Sequence, residues 1–166
     1  MKIKTLVYFL LFYFIASNSF ANTPKSSGKY KNWESFTLMT ERGKVCFAQS
    51  KPTRRAPAVI KRNDSRIFVT FRPGENINDE ISITSGHAYK NSTVSAKSGK
   101  SNFSFFSQGD FAWLLDENEE KKFIKLMKRA TDLMIKGKTK DGAETTDHYS
   151  MMGFTKAYNT AKKTCS

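Results

Sequence analysis

The chain has 166 residues, enough for one domain and not comfortably for two, and carries a formal charge of +13 at neutral pH. Seven of its 28 basic residues are arginines; the other 21, the lysines, are scattered along the whole length. Scattered lysines describe a solvated surface, which argues against nucleic acid as the partner and leaves anionic envelope components or another protein. Two cysteines and two histidines are too few for a disulfide-dense scaffold or a zinc module, so no cofactor and no metal is expected.

The N-terminus reads as a secretory leader. Lys2 and Lys4 form a short positive region, Leu6 to Ala16 is an apolar run, and Ser19-Phe20-Ala21 offers small residues where a signal peptidase cuts. A membrane anchor is the alternative, but the run falls well short of the roughly 20 residues that span a bilayer. Cleavage after Ala21 removes two lysines, taking the charge from +13 to +11. No later stretch is apolar enough to act as a transmembrane anchor, so the expected location is periplasmic or secreted.

Residues 22–32 are polar and basic and are expected to form a flexible lead-in to a domain over 33–166. Short β-favouring runs follow: Trp33 to Met39, Val45 to Gln49, Arg66 to Arg72, Glu80 to Thr84, Asn102 to Gln108 and Phe111 to Leu115. Glycine-containing turns separate them, among them Arg42-Gly43, Pro73-Gly74, Ser85-Gly86, Ser98-Gly99 and Gly109-Asp110. Ile67, Val69 and Phe71 alternate onto one face, as do Ile81 with Ile83 and Val45 with Phe47. A helix is predicted after Asp116, which can cap it with Glu119 three residues on. Its buried stripe is Phe123, Leu126, Met127 and Ala130. Strands are predicted again over residues 131–138 and 145–149, and a closing helix places Phe154, Ala157, Tyr158, Ala161 and Cys165 on one face. Many short strands with two peripheral helices describe a mainly β sandwich. Trp33, Trp113, Tyr149, Phe154 and Tyr158 read as core aromatics, with the lining of a ligand groove as the alternative.

In an oxidising compartment Cys46 and Cys165 most simply form one bridge; two free thiols are the alternative, and no C-x-x-C pair is present. Cys46 is expected to point at the closing helix with Ala48, and Val45 and Phe47 at the main core. Lys51, Arg54, Arg55, Lys61, Arg62 and Arg66 concentrate four of the seven arginines in sixteen residues against one acid, Asp64. Arginine holds phosphate or carboxylate bidentately, so this segment is the candidate contact for an anionic partner, with a solvated loop as the plain alternative. His87 follows a turn, and His148 lies beside Asp147 in a strand, where the two side chains face opposite ways. Neither has the neighbours of a catalytic base, and the chain is read as a non-catalytic protein. The alternative is a cryptic periplasmic hydrolase using His87 or His148.

Several runs together carry a resemblance. They are Val45-Cys46-Phe47 with Ser50-Lys51-Pro52, Thr70-Phe71-Arg72-Pro73, and Ser107-Gln108-Gly109-Asp110 with Ala112-Trp113. Residues Gly142 to Asp147 and Tyr149 to Phe154, then Ala157-Tyr158 and Cys165, complete the set. In order and spacing, over roughly residues 33–165, the chain resembles the invasion-associated locus B family of bacterial exported proteins. It departs at Phe71, where a histidine is common, and at His148, where a threonine is common. The resemblance implies an immunoglobulin-like β-sandwich, exported, with a link in some members to host-cell invasion or colonisation. It supplies no catalytic residue.

Overall fold

A computed structural model describes residues 23–91 and 93–166; the expected leader over residues 1–21 lies outside them. Eleven strands form one continuous antiparallel sheet. In chain order they are β1 (Lys25–Tyr30), β2 (Trp33–Thr40), β3 (Gly43–Ser50), β4 (Arg54–Ala56), β5 (Arg66–Arg72), β6 (Ile77–Thr84), β7 (Val94–Ser98), β8 (Ser101–Gln108), β9 (Phe111–Trp113), β10 (Asp132–Lys138) and β11 (Glu144–Ser150). Helix α1 (Glu117–Met127) sits between β9 and β10, and helix α2 (Phe154–Thr164) follows β11. Across the sheet the order is β1-β2-β3-β5-β6-β9-β8-β7-β10-β11-β4. The layers join at β8, whose first half pairs with β7 and whose second half pairs with β9. The expected mainly β sandwich with two helices is present, its two layers being the two halves of one sheet.

Strict alternation explains the core. Trp33 and Ser35 on β2, Cys46, Ala48 and Ser50 on β3, Ile67, Val69 and Phe71 on β5, and Ile81 and Ile83 on β6 stand side by side in register and are all buried. Leu133 and Ile135 on β10, with Thr145, Asp147 and Tyr149 on β11, form the opposing layer. The Trp33 indole donates to the Ser150 carbonyl across the gap at 2.9 Å.

Helix α2 covers the part of β1, β2, β3 and β5 that the second layer does not reach. Phe154, Ala157, Tyr158 and Ala161 are buried at helical spacing. Phe154 packs edge-on against Trp33 and Tyr158 edge-on against Phe71. No side chain caps this helix: Gly153, at φ 96°, occupies the cap position, where a Cβ would run into the Tyr30 carbonyl. Its anchors are lateral instead. Ser35 donates to the Ala157 carbonyl at 2.7 Å, Lys44 to the Thr164 carbonyl at 2.9 Å, and Cys46 bridges Cys165 with the two Cα atoms 5.8 Å apart. Helix α1 is capped as expected, Asp116 accepting from the amides of Asn118 and Glu119 at 2.8 and 3.0 Å. The Glu119 carboxylate pairs with Lys122 at 2.8 Å, so no reciprocal bond completes a capping box. Phe123, Ile124 and Met127 are the buried residues of α1, with Phe103 and Phe105 edge-on to Phe123.

Three expectations are corrected. The flexible lead-in over 22–32 contains β1, whose backbone pairs with β2; its sequence has no apolar alternation because it is an outer strand, and its lysines suit an exposed edge. β4 and β7 were also not expected, being short and rich in polar residues. On β3, Cys46 and Ala48 face α2 as expected, but that face, not the one bearing Val45 and Phe47, is the main core. Val45 and Phe47 are half-buried on the outer face.

The bridge closes 119 residues of chain, and on the chain-entropy account such a crosslink contributes about 4 to 5 kcal/mol. Cys165→Ser is expected to lower the urea unfolding free energy by about 4 kcal/mol relative to the oxidised protein. A loss below about 1 kcal/mol would mean that packing alone seats α2.

Candidate functional site

The basic segment is only partly a surface feature. Arg62 is buried and grips Asp147, itself fully buried, with both guanidinium ends: Nη1 to Oδ2 at 2.9 Å and Nη2 to Oδ1 at 2.7 Å. The same guanidinium donates to the carbonyls of Ser85 and Ala56 at 3.0 and 3.3 Å. Arg55 adds a weaker contact to Asp147 at 3.9 Å and donates to the Asn63 carbonyl. Lys51 and Arg66 both hold Asp64 at 2.9 Å, keeping its carboxyl below the usual carboxylate range, and Arg66 also donates to Gln49. Arg54 donates to His148 Nε2 at 2.8 Å, and β4 pairs with β11 beside it. Lys61 is exposed with no acidic partner among the described residues. Of the six basic residues, then, two serve an internal carboxylate, two share Asp64, and only Arg54 and Lys61 have no acid bound to them. Counting arginines along the sequence overlooks Asp147, 85 residues away from Arg62.

Both histidines are engaged by neighbouring groups. Because Arg54 can only donate, His148 Nε2 is an acceptor in that bond. His87 Nδ1 lies 3.0 Å from the Ala88 carbonyl and Nε2 lies 2.9 Å from Thr145 Oγ1. A hydroxyl beside an imidazole has the outline of a nucleophile and base, but Thr145 is 1% exposed and also bonds the Gly137 carbonyl at 3.3 Å. Burial raises the hydroxyl pKa of Tyr89 to about 12 and pushes Tyr149 well above its ordinary value, so both stay neutral near Asp147. Among the described residues no three histidine, cysteine, aspartate or glutamate side chains converge as metal ligands would.

A different surface has the shape of a binding site. The outer face of the first layer bears a groove of about 760 Å³, within the range of roughly 300 to 1,000 Å³ usual for small-ligand sites. The register builds it. Phe68 on β5 stands opposite Ser82 on β6, Ser82 opposite Trp113 on β9, and Trp113 opposite Phe106 on β8. One small residue between two aromatic ones leaves a slot. Phe47, stacked on Phe36 at 5.3 Å, extends the Phe68 wall; Trp113, stacked between Phe106 and Phe111 at 5.6 and 5.9 Å, forms the other. Phe106 is 41% exposed, Phe111 39% and Leu115 at the rim 78%. Trp113, expected in the core, is half-buried here.

One end of the groove is charged. Arg72 is held bidentately by Glu80, Nη1 to Oε1 at 3.1 Å and Nη2 to Oε2 at 2.8 Å. Glu120, reaching over from α1, accepts the Ile81 amide at 3.1 Å. Burial raises the Glu120 pKa to about 7, helped by the nearby charges of Glu80, Asp79 and Glu117 and opposed by the Ile81 bond. Of the five aromatics the sequence offered for a groove only Trp113 lines this one; the rest of its lining was missed because those residues share strands with the core, and the sign of it is that Ile67 to Phe71 and Phe103 to Phe106 carry apolar residues on both faces. No family model, no curated protein and no solved structure matches the chain.

Two outcomes follow. Asp147→Ala leaves the Arg62 guanidinium buried without its counter-ion and is expected to cost about 3 to 5 kcal/mol by chemical denaturation, more than the surface change Asp64→Ala. Glu120, with a folded pKa above its unfolded one, binds more protons in the native state between pH 4.5 and about 7. Its protonated form therefore favours folding at low pH, and that contribution is lost as pH rises through about 7. Glu120→Gln should match the parent near pH 4 and exceed its stability at pH 8; a parallel pair of stability curves would contradict this.

Proposed function

We propose that this chain is an exported, non-catalytic binding protein of the bacterial envelope, periplasmic or secreted, of the invasion-associated locus B kind, and that the aromatic groove is its recognition surface. The groove carries the reading: solvent-facing aromatic rings gathered on one sheet face are unfavourable to leave in water and mark places where proteins meet partners. The Cys46–Cys165 bridge supports an oxidising compartment. Among the described residues no helix is long and apolar enough to cross a membrane. A protein partner at the groove is favoured over an anionic envelope component at the basic segment, because Arg62 and Arg55 serve Asp147.

Expression of the full chain in a Gram-negative host, followed by osmotic-shock fractionation and intact-mass measurement, tests the export part. The released product is expected to begin at Asn22 and to lack free thiols. A retained leader with two reactive thiols would overturn it.

A further inference from the structure

We propose that the groove takes a peptide segment in which an aromatic or large aliphatic side chain neighbours a lysine or arginine, the apolar group entering the slot above Ser82 and the cation meeting Glu120. The assignment rests on the groove being the recognition surface, and it goes further by naming what is recognised. Width is the first ground. Phe68 and Trp113 lie on strands either side of β6, so their Cα atoms are separated by two strand spacings, about 10 Å. Aromatic neighbours pack with ring centres about 4.5 to 7 Å apart, so two walls at this spacing suit one ring between them. Ser82 sets the floor with a hydroxyl in place of a bulky side chain, and Leu115 adds an apolar lip.

Charge is the second ground, and it selects among ligands that could fill such a slot. The protein is strongly basic, yet three charged side chains line the groove: Arg72, Glu80 and Glu120. Arg72 is committed to both oxygens of Glu80, with Glu75 at 3.6 Å from its Nε. Glu120 is left with one backbone amide, and the charges acting on it come from Glu80, Asp79 and Glu117. Lys128 and Lys162 lie over the Tyr158 ring, and the Tyr158 hydroxyl donates to Asp79 at 2.7 Å, so those lysines serve the far side of β6. An acidic peptide or a phosphorylated headgroup would meet Glu120 and Glu80 with like charge. A neutral glycan could stack on the rings but would leave the Glu120 carboxylate without a cation. An apolar residue beside a basic one satisfies both ends.

Isotope-labelled oxidised protein titrated at pH 8, where Glu120 is mostly ionised, with blocked tetrapeptides and followed by NMR shifts and calorimetry, tests this. The probes are Gly-Trp-Lys-Gly, Gly-Trp-Glu-Gly, Gly-Ala-Lys-Gly and a neutral tetramer of N-acetylglucosamine. The Trp-Lys peptide is expected to bind about tenfold tighter than each of the others, the size of one charge-assisted contact. Its shifts should map to Phe68, Ser82 and Trp113. Glu120→Gln should bring the Trp-Lys and Trp-Glu peptides to equal affinity. Ser82→Leu, which fills the slot, should remove Trp-Lys binding. Phe111→Ser at the exposed rim should weaken it without disturbing the fold, should Ser82→Leu not fold. Equal binding of the glycan or the Trp-Glu peptide, still lost in Ser82→Leu, would refute the ligand class and leave the groove as the recognition surface. Absence of binding by every probe, or Trp-Lys binding that Ser82→Leu leaves intact, would refute both.

Discussion

Everything about this fold turns on how the inner face of β2, β3 and β5 is kept from water. The second layer reaches only part of it, and an eleven-residue helix must cover the rest. A helix that short has little stability of its own, and α2 lacks even a side-chain cap. It is seated because Trp33 and Phe71 receive Phe154 and Tyr158, because Ser35 and Lys44 bond its backbone, and because Cys165 is covalently tied to β3. Covalent and apolar contacts act on the same element from opposite ends.

The second organising interaction is polar. A fully buried carboxylate is tolerable only with its charge met, and Asp147 achieves this by drawing in Arg62, which donates to Oδ2 and pairs with Oδ1 at 2.7 Å. That pulls the segment after β4 down onto the second layer, where the same guanidinium also ties the carbonyls of Ala56 and Ser85. A stretch that looks like a cationic surface is in good part the wrapping of an internal acid.

Most of the architecture was legible because alternation and helical spacing are local signals. The runs from Trp33, Val45, Arg66, Glu80, Asn102 and Phe111, the Asp116 cap and the apolar stripe of α2 each follow from side chains a few positions apart. What escaped depends on distance or on the backbone. β1 and β4 are edge strands held by main-chain bonds, which leave little trace in side-chain type. The face of β3 under α2 was read correctly, but the main core was put on the opposite face because Val45 and Phe47 are more apolar than Cys46 and Ala48, and periodicity reports that two faces differ without saying which one is the more buried. Most of the groove's lining escaped for a related reason: Phe68 with Ser82 and Trp113 with Phe106 become one wall-and-floor set only when β6 pairs with β9, two strands that are not consecutive in the chain.

The position of Cys165 has a bearing on how the molecule comes to be made. It follows all eleven described strands, so every one of them must be synthesised before its bond to β3 can form. The crosslink can therefore be drawn only once the whole domain has been made, and it joins the last element to one of the first.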